Sequence, residues 1–229
     1  MIGFVIAMES EAAPFIKRFE VSRKGVGGRT FVRLDLCGVD AVLAICGIGK
    51  VNAAYTTALL IRTYDPDIVV NVGVSGGIGK GLEIGQVVAV EKCVQHDVDT
   101  SPLGDPKGFV STVNTVYFPT DPTLTDLFAE MNRSAKGVAA SGEQFVADGE
   151  KKRFIADFFH AEIADMESGA IAQCALIAGK KFLCFRAVSD LADGSAPKDF
   201  PSFVKTASET LCTDVVGFIK SAKSMGYLD

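Results

Sequence analysis

Three acids in this chain stand where one kind of segment gives way to another. Glu11 follows the apolar run Ile2-Gly3-Phe4-Val5-Ile6-Ala7-Met8. Glu167 closes Asp165-Met166-Glu167 ahead of a helix-like stretch, and Asp190 ends Phe185-Arg186-Ala187-Val188-Ser189-Asp190. A carboxyl at such a boundary is half out of water, so it can hold a proton near neutral pH or grip a hydroxyl. That points to acid/base work on a small polar molecule. Each acid also has an ordinary reading. A first-turn acid favours the helix dipole, which would explain Glu11 and Glu167. Asp190, with Asp193 and Gly194 close behind, could cap a helix or close a loop. Their places after separate elements of one sheet favour the chemical reading, because ligands of open α/β sheets collect outside the strand C-termini.

Asn71-Val72-Gly73-Val74-Ser75-Gly76-Gly77-Ile78-Gly79 follows a strand-like run. Its glycines would let a ligand approach the backbone, or would simply make a tight strand-to-loop turn. The spacing is neither G-x-G-x-x-G nor G-x-x-x-x-G-K-[ST], and Gly47-Ile48-Gly49-Lys50 also lacks the full phosphate-loop pattern, which excludes both nucleotide motifs. The six cysteines never form CxxC and mostly have apolar neighbours, so they read as buried free thiols. With only His96 and His160 present, a Cys–His nucleophile has few partners, and no ligand pair has zinc spacing.

The elements that must position these residues follow from periodicity. Strand-like runs recur at residues 2–7, 30–36, 41–45, 68–72, 86–93, 137–141 and 182–188, several of them apolar without alternation, as strands covered on both faces require. Helical patterns lie between them: 10–19, the stripe Val51, Ala54, Tyr55, Ala58, Leu59, then 148–158, 168–178, and a closing helix marked by Phe203, Ala207, Leu211, Val215, Phe218 and Ala222. The alternation predicts a single three-layer α/β domain over residues 1–229, with a mixed, largely parallel central sheet flanked by helices. Residues 100–122, rich in Pro and Gly, form the least regular segment, a lid, a partner contact or a surface loop.

Hydrophobic content of 48% argues against disorder. The net charge of −5 and scattered lysines exclude a basic nucleic-acid stripe. The chain begins directly as a strand-like run without a secretory pattern, and no apolar stretch approaches about 18 residues, so the expectation is a cytoplasmic protein that neither binds nor spans membranes.

Six short motifs then appear in one order: Ala7-Met8-Glu9-Ser10-Glu11, Gly47-Ile48-Gly49-Lys50-Val51, Asn71 through Gly77, Ser141-Gly142-Glu143-Gln144-Phe145-Val146, Asp165-Met166-Glu167-Ser168, and Arg186-Ala187-Val188-Ser189-Asp190. That order resembles the 5′-methylthioadenosine/S-adenosylhomocysteine nucleosidases of the purine nucleoside phosphorylase/uridine phosphorylase superfamily. The resemblance implies a nucleoside phosphorylase-like fold and a homodimeric N-glycosidic hydrolase of methionine salvage that needs neither cofactor nor metal. By position it makes Asp190 the acid that protonates purine N7 and Glu11 the group that activates water. It makes Glu167 the carboxylate that binds the ribose hydroxyls, with Met166 packed on the nucleoside. Phe145 and Val146 would form the adenine slot, Gly76 would give a backbone contact, and Met8, Arg186 and Ser189 would belong to the same site. Phe200 falls where the family places an aromatic near the ribose.

Some positions depart from the family pattern. Val74 replaces a hydroxyl residue, with Ser75 one step later; Asp165 replaces a frequent Glu; and Val146 stands for a commoner Ile. The segment from His96 to Phe118 is expected to shape the pocket for the 5′ substituent. Rival readings are a phosphorylase, which would need an Arg near the glycine segment where this chain has Asn71, a futalosine-type hydrolase, and a non-catalytic nucleoside binder.

Overall fold

Strands with no polar face need cover on both sides, and the fold supplies it. The computed structural model describes residues 1–192 and 196–228, with side chains from Phe203 onward in the second stretch. Its strands are β1 (Ile2–Ile6), β2 (Glu20–Val26), β3 (Arg29–Asp35), β4 (Asp40–Ile45), β5 (Ile68–Gly77), β6 (Val87–Gln95), β7 (Tyr117–Pro119), β8 (Ala135–Ser141), β9 (Ile163–Asp165) and β10 (Lys181–Asp190). Its helices are α1 (Glu9–Phe19), α2 (Lys50–Tyr64), α3 (Pro122–Asn132), α4 (Gly149–Phe159), α5 (Ser168–Ile177) and α6 (Ala196–Ser224).

All strands join one mixed sheet. β4, β1, β5 and β10 run parallel side by side. β10 then pairs antiparallel with β6, β6 runs parallel to β8, β8 to β9, and β9 turns back antiparallel onto β5. The pairings β5–β10–β6–β8–β9–β5 therefore close a ring, with β1, β4, β3 and β2 as a flap extending from β5. One apolar layer lies under α1, α3 and α6, where Phe128, Phe185 and Phe218 pack ring on ring. A second lies under α2 and α5, and a third, with Val94, Val138, Ile155 and Phe159, gathers beside α4. The α6 stripe is buried from Ala207 through Ala222 as its spacing requires.

Three differences from the sequence reading have physical causes. The glycine segment is not a turn after a strand: β5 continues to Gly77, pairing with β10 on one edge and with Ala164 and Ile163 of β9 on the other. Small residues there let three strands converge. β2 has no apolar alternation because it is the exposed edge of the flap, charged as edge strands often are. Within 100–122 the chain forms two 3₁₀ turns and the short β7, and α3 starts at Pro122 with the Asp121 side chain accepting from Leu124 N–H at 3.0 Å. The cysteines divide: Cys46, Cys93, Cys184 and Cys212 are buried, Cys174 is half-buried, and Cys37 is exposed. No helix among the described residues is long and apolar enough to cross a membrane.

Candidate active site

A cleft of about 600 Å³, measured to its open mouth, lies where β5, β9 and β10 meet α1 and α5. Glu11, Glu167 and Asp190 all line it, as do Met8, Gly76, Phe145, Val146, Met166 and Ser189. Each acid is nearly inaccessible to solvent.

Glu11 sits in the first turn of α1, and its carboxylate does two things there. One oxygen accepts from Met8 N–H at 2.9 Å, satisfying an otherwise orphaned amide of the helix start. The other crosses to β5 and accepts from Val74 N–H at 2.8 Å. Burial pushes its pKa up, against the nearby Arg186 charge and the two amides.

Glu167 occupies the N-cap position of α5, yet its side chain does not cap that helix. It accepts instead from Gly49 N–H at 2.8 Å, at the start of α2. Gly49 has φ +99, and a Cβ there would press on Glu143 Oε2 at 2.7 Å, so only glycine presents this amide. Burial, and next the charge of Asp165, push the Glu167 carboxyl up to about 7 in spite of Arg186. The capping work falls to Asp165, which accepts from Ser168 N–H and from the hydroxyls of Ser141 and Ser168.

Asp190 ends β10. Its Oδ2 accepts from the Ser189 hydroxyl at 2.9 Å and its Oδ1 from Ala192 N–H at 2.9 Å. The loop role considered for this residue is therefore real, and it leaves the carboxylate facing the cleft.

Arg186 does not line the cleft; it lies beneath it, fully buried. Its guanidinium reaches Asp165 Oδ2 at 2.5 Å, Asn71 Oδ1 at 2.6 Å and the Val74 carbonyl at 3.2 Å, with Glu167 Oε2 at 3.9 Å. Burial alone would lower its pKa, but the surrounding carboxylates outweigh that and raise it. A Cβ on Gly73 would meet Arg186 Nη1 at 2.3 Å and Glu11 Oε1 at 2.7 Å. The glycine is what lets these charges press against the strand.

Sequence reasoning missed several wall residues. Ile48 and Gln144, inside motifs already quoted, and Ala164 line the cleft without any chemical signature. Asp165, Val74 and Ser75 also line it, and all three lay inside motifs already singled out. Val74 contributes its backbone, N–H to Glu11 and C=O to Arg186, so the missing hydroxyl does not remove that contact. No residue from 96 to 118 lines the cleft within one chain. The side chain of Phe200 lies outside the described residues. Among the described residues no cluster of His, Cys, Asp or Glu is arranged to hold a metal. A second cavity, at the opposite strand ends, offers little chemistry: its acid, Asp67, is bound to the Met1 ammonium at 2.6 Å.

Comparisons with known proteins agree with this geometry. The family model described as the phosphorylase superfamily matches residues 1–220. The 5′-methylthioadenosine/S-adenosylhomocysteine nucleosidase of Actinobacillus succinogenes is 34% identical over 225 residues, covering 95% of this chain and 97% of that one. The crystal structure of the Neisseria meningitidis 5′-methylthioadenosine/S-adenosylhomocysteine nucleosidase in complex with methylthio-immucillin-A superposes with TM-score 0.91 at 35% identity, covering 96% and 98%. The futalosine hydrolase of Helicobacter pylori superposes with TM-score 0.91 at 28% identity, covering 96% and 97%.

Proposed function

The chain belongs to the phosphorylase superfamily, and from that premise we propose that it hydrolyses the N-glycosidic bond of 5′-methylthioadenosine and S-adenosylhomocysteine, releasing adenine and the 5-substituted ribose. One observation carries the reading: Glu11 from α1 and Asp190 from β10 face the same cleft, with Glu167 between their elements.

Adenine leaves poorly as an anion. Asp190 donates a proton to purine N7, so the base departs neutral while the ribose becomes oxocarbenium-like. A positioned general acid contributes about 10²–10⁴-fold. The Ser189 hydroxyl and Ala192 amide hold the Asp190 carboxyl in place for this transfer. Glu11 takes a proton from the attacking water. Glu167 holds the ribose hydroxyls and sets negative charge beside the developing cation. A separated acid and base with water between them give inversion, as in inverting glycosidases. Phe145 stacks on the adenine, the Val146 backbone reads its edge, Met8 and Met166 pack on the nucleoside, and Gly76 approaches it through its backbone. Phe200 is assigned to the ribose end.

Water is favoured over phosphate by charge. No Lys or Arg lines the described cleft, and Arg186 is committed to Asp165, Asn71 and the Val74 carbonyl. Asn71, where a phosphorylase would be expected to carry an Arg, binds the Val5 carbonyl and Arg186 instead.

The working unit is a homodimer in the cytoplasm, serving methionine salvage. Support for the dimer comes from exposed apolar side chains: Ile48 and Phe145 line the cleft, and Val51 and Tyr55 lie on α2, which follows Ile48 in the chain. A partner covering that face would complete the pocket for the 5′ group.

The same likeness to a futalosine hydrolase supports a second reading, with a different 5′ group. Incubation with methylthioadenosine, adenosylhomocysteine, aminofutalosine and inosine, each with and without phosphate, tests the assignment. Adenine released from the two thioethers at phosphate-independent rates is expected. Release that needs phosphate, or that occurs only with aminofutalosine, would replace this function with one of its rivals.

A further inference from the structure

The floor of the cleft gathers three acids around a single cation. Glu11, Asp165 and Glu167 surround one buried cation, Arg186, and the side chains of Asp165, Glu167 and Arg186 are 2%, 6% and 1% exposed. The cation is not shared evenly: it contacts Asp165 at 2.5 Å and stands 3.9 Å from Glu167.

We propose that Asp165 is a positioning residue that draws the Arg186 charge away from Glu167, leaving the ribose-binding carboxylate without a cation of its own. Asp165 is built for this. The Ser141 and Ser168 hydroxyls and the Ser168 amide fix its carboxylate, and the Ser141 hydroxyl is itself fixed by Gly169 N–H at 2.7 Å. Arg186 is tethered from behind by Asn71 and the Val74 carbonyl, which keep its guanidinium within 3.9 Å of Glu167 Oε2.

The groups facing Glu167 are few and come from every neighbouring element. Arg186 comes from β10, Asp165 from β9 and Glu11 from α1. Cys46 follows β4, its thiol pushed up to about 12 by burial and next by Glu167. The Gly49 amide fronts α2, whose first residue Lys50 is engaged by Asp97 and by Glu143. No second cation among them replaces Arg186. A carboxyl raised by burial and a like charge recovers its ordinary range once a cation reaches it, typically a shift of about 1–3 units.

This inference rests on Glu167 holding the ribose diol, and its test separates the two. Affinity for the non-hydrolysed analogue 5′-methylthiotubercidin is measured from pH 5 to 9 in parent, Asp165→Asn and Asp165→Glu. Ionised Glu167 accepts both hydroxyl hydrogen bonds, so affinity in the parent falls as pH drops through about 7, reaching about tenfold below its plateau at pH 6. In Asp165→Asn the fall moves about 1–3 pH units lower, and Asp165→Glu restores the parental position. A loss of affinity that is equal at every pH in Asp165→Asn would mean a merely structural residue and would overturn the proposal. So would an unmoved profile. Failure of the parent to bind the analogue at all would reject the functional reading instead. Should Asp165→Asn not fold, the infrared carboxyl band of the free parent at pH 6 decides. That band is expected to lose intensity in Glu167→Gln, Glu11 being raised as well, and an unchanged band would place the proton elsewhere and overturn the proposal.

Discussion

Glu11 and Asp190 are held by neutral donors rather than by cations. Two backbone amides grip Glu11, and a hydroxyl and an amide grip Asp190. A carboxyl without its own cation is free to change protonation during a reaction, which is what a general base and a general acid must do. Asp190→Asn should lower kcat at least about a hundredfold with melting temperature little changed, because the shape and the Ser189 contact survive while the proton donor does not. Glu11→Gln should abolish hydrolysis yet keep nucleoside binding, read by steady-state kinetics and calorimetry on the same preparations. Retained turnover in either variant would mean another group does the work assigned to it. These two acids and Glu167 were legible in the sequence because each stands where an apolar run ends or a helix-like stretch begins. The Asp165–Arg186 pair was not read as a pair, since a buried ion pair across two strands leaves no periodic trace.

At the scale of elements, the site depends on strands that run past where their hydrophobic pattern stops. β5 continues through Val74, Ser75, Gly76 and Gly77 because β10 and β9 pair with it there, and pairing is a tertiary fact that local pattern does not carry. Seven strand-like runs and most helices were visible from unalternated apolar residues and 3.6-residue stripes. β2, with neither, was invisible. α3 carried a start signal in Asp121-Pro122 that the Pro-rich surroundings obscured. Gly73 belongs to this scale: its missing Cβ is the space into which Glu11 and Arg186 close. Gly73→Ala should lower stability by about 1–3 kcal/mol and cut turnover with it, measured by urea unfolding and kinetics, because the added methyl overpacks a site walled by backbone and buried charge. An unchanged midpoint and rate would show that the two side chains yield easily.

At the scale of the molecule, closure of β5–β10–β6–β8–β9 into a ring brings residues from both ends of the chain to one cleft. Nothing local announces that closure; the collinear motifs did so only through resemblance. The exposed apolar residues near the mouth put a second copy in the account. Light scattering should give twice the chain mass, and Val51→Asp on the exposed face of α2 should halve it and weaken affinity for the 5′ group. A parent that stays monomeric at micromolar concentration would remove the dimer. Whether this cleft passes a proton to the purine while water takes the ribose is read with oxygen-18 water in phosphate-free buffer. Methylthioadenosine should yield adenine at full rate, with one heavy oxygen incorporated at the anomeric carbon during turnover when product is trapped by immediate reduction. Absence of adenine until phosphate is added, with a sugar phosphate as product, would contradict hydrolysis.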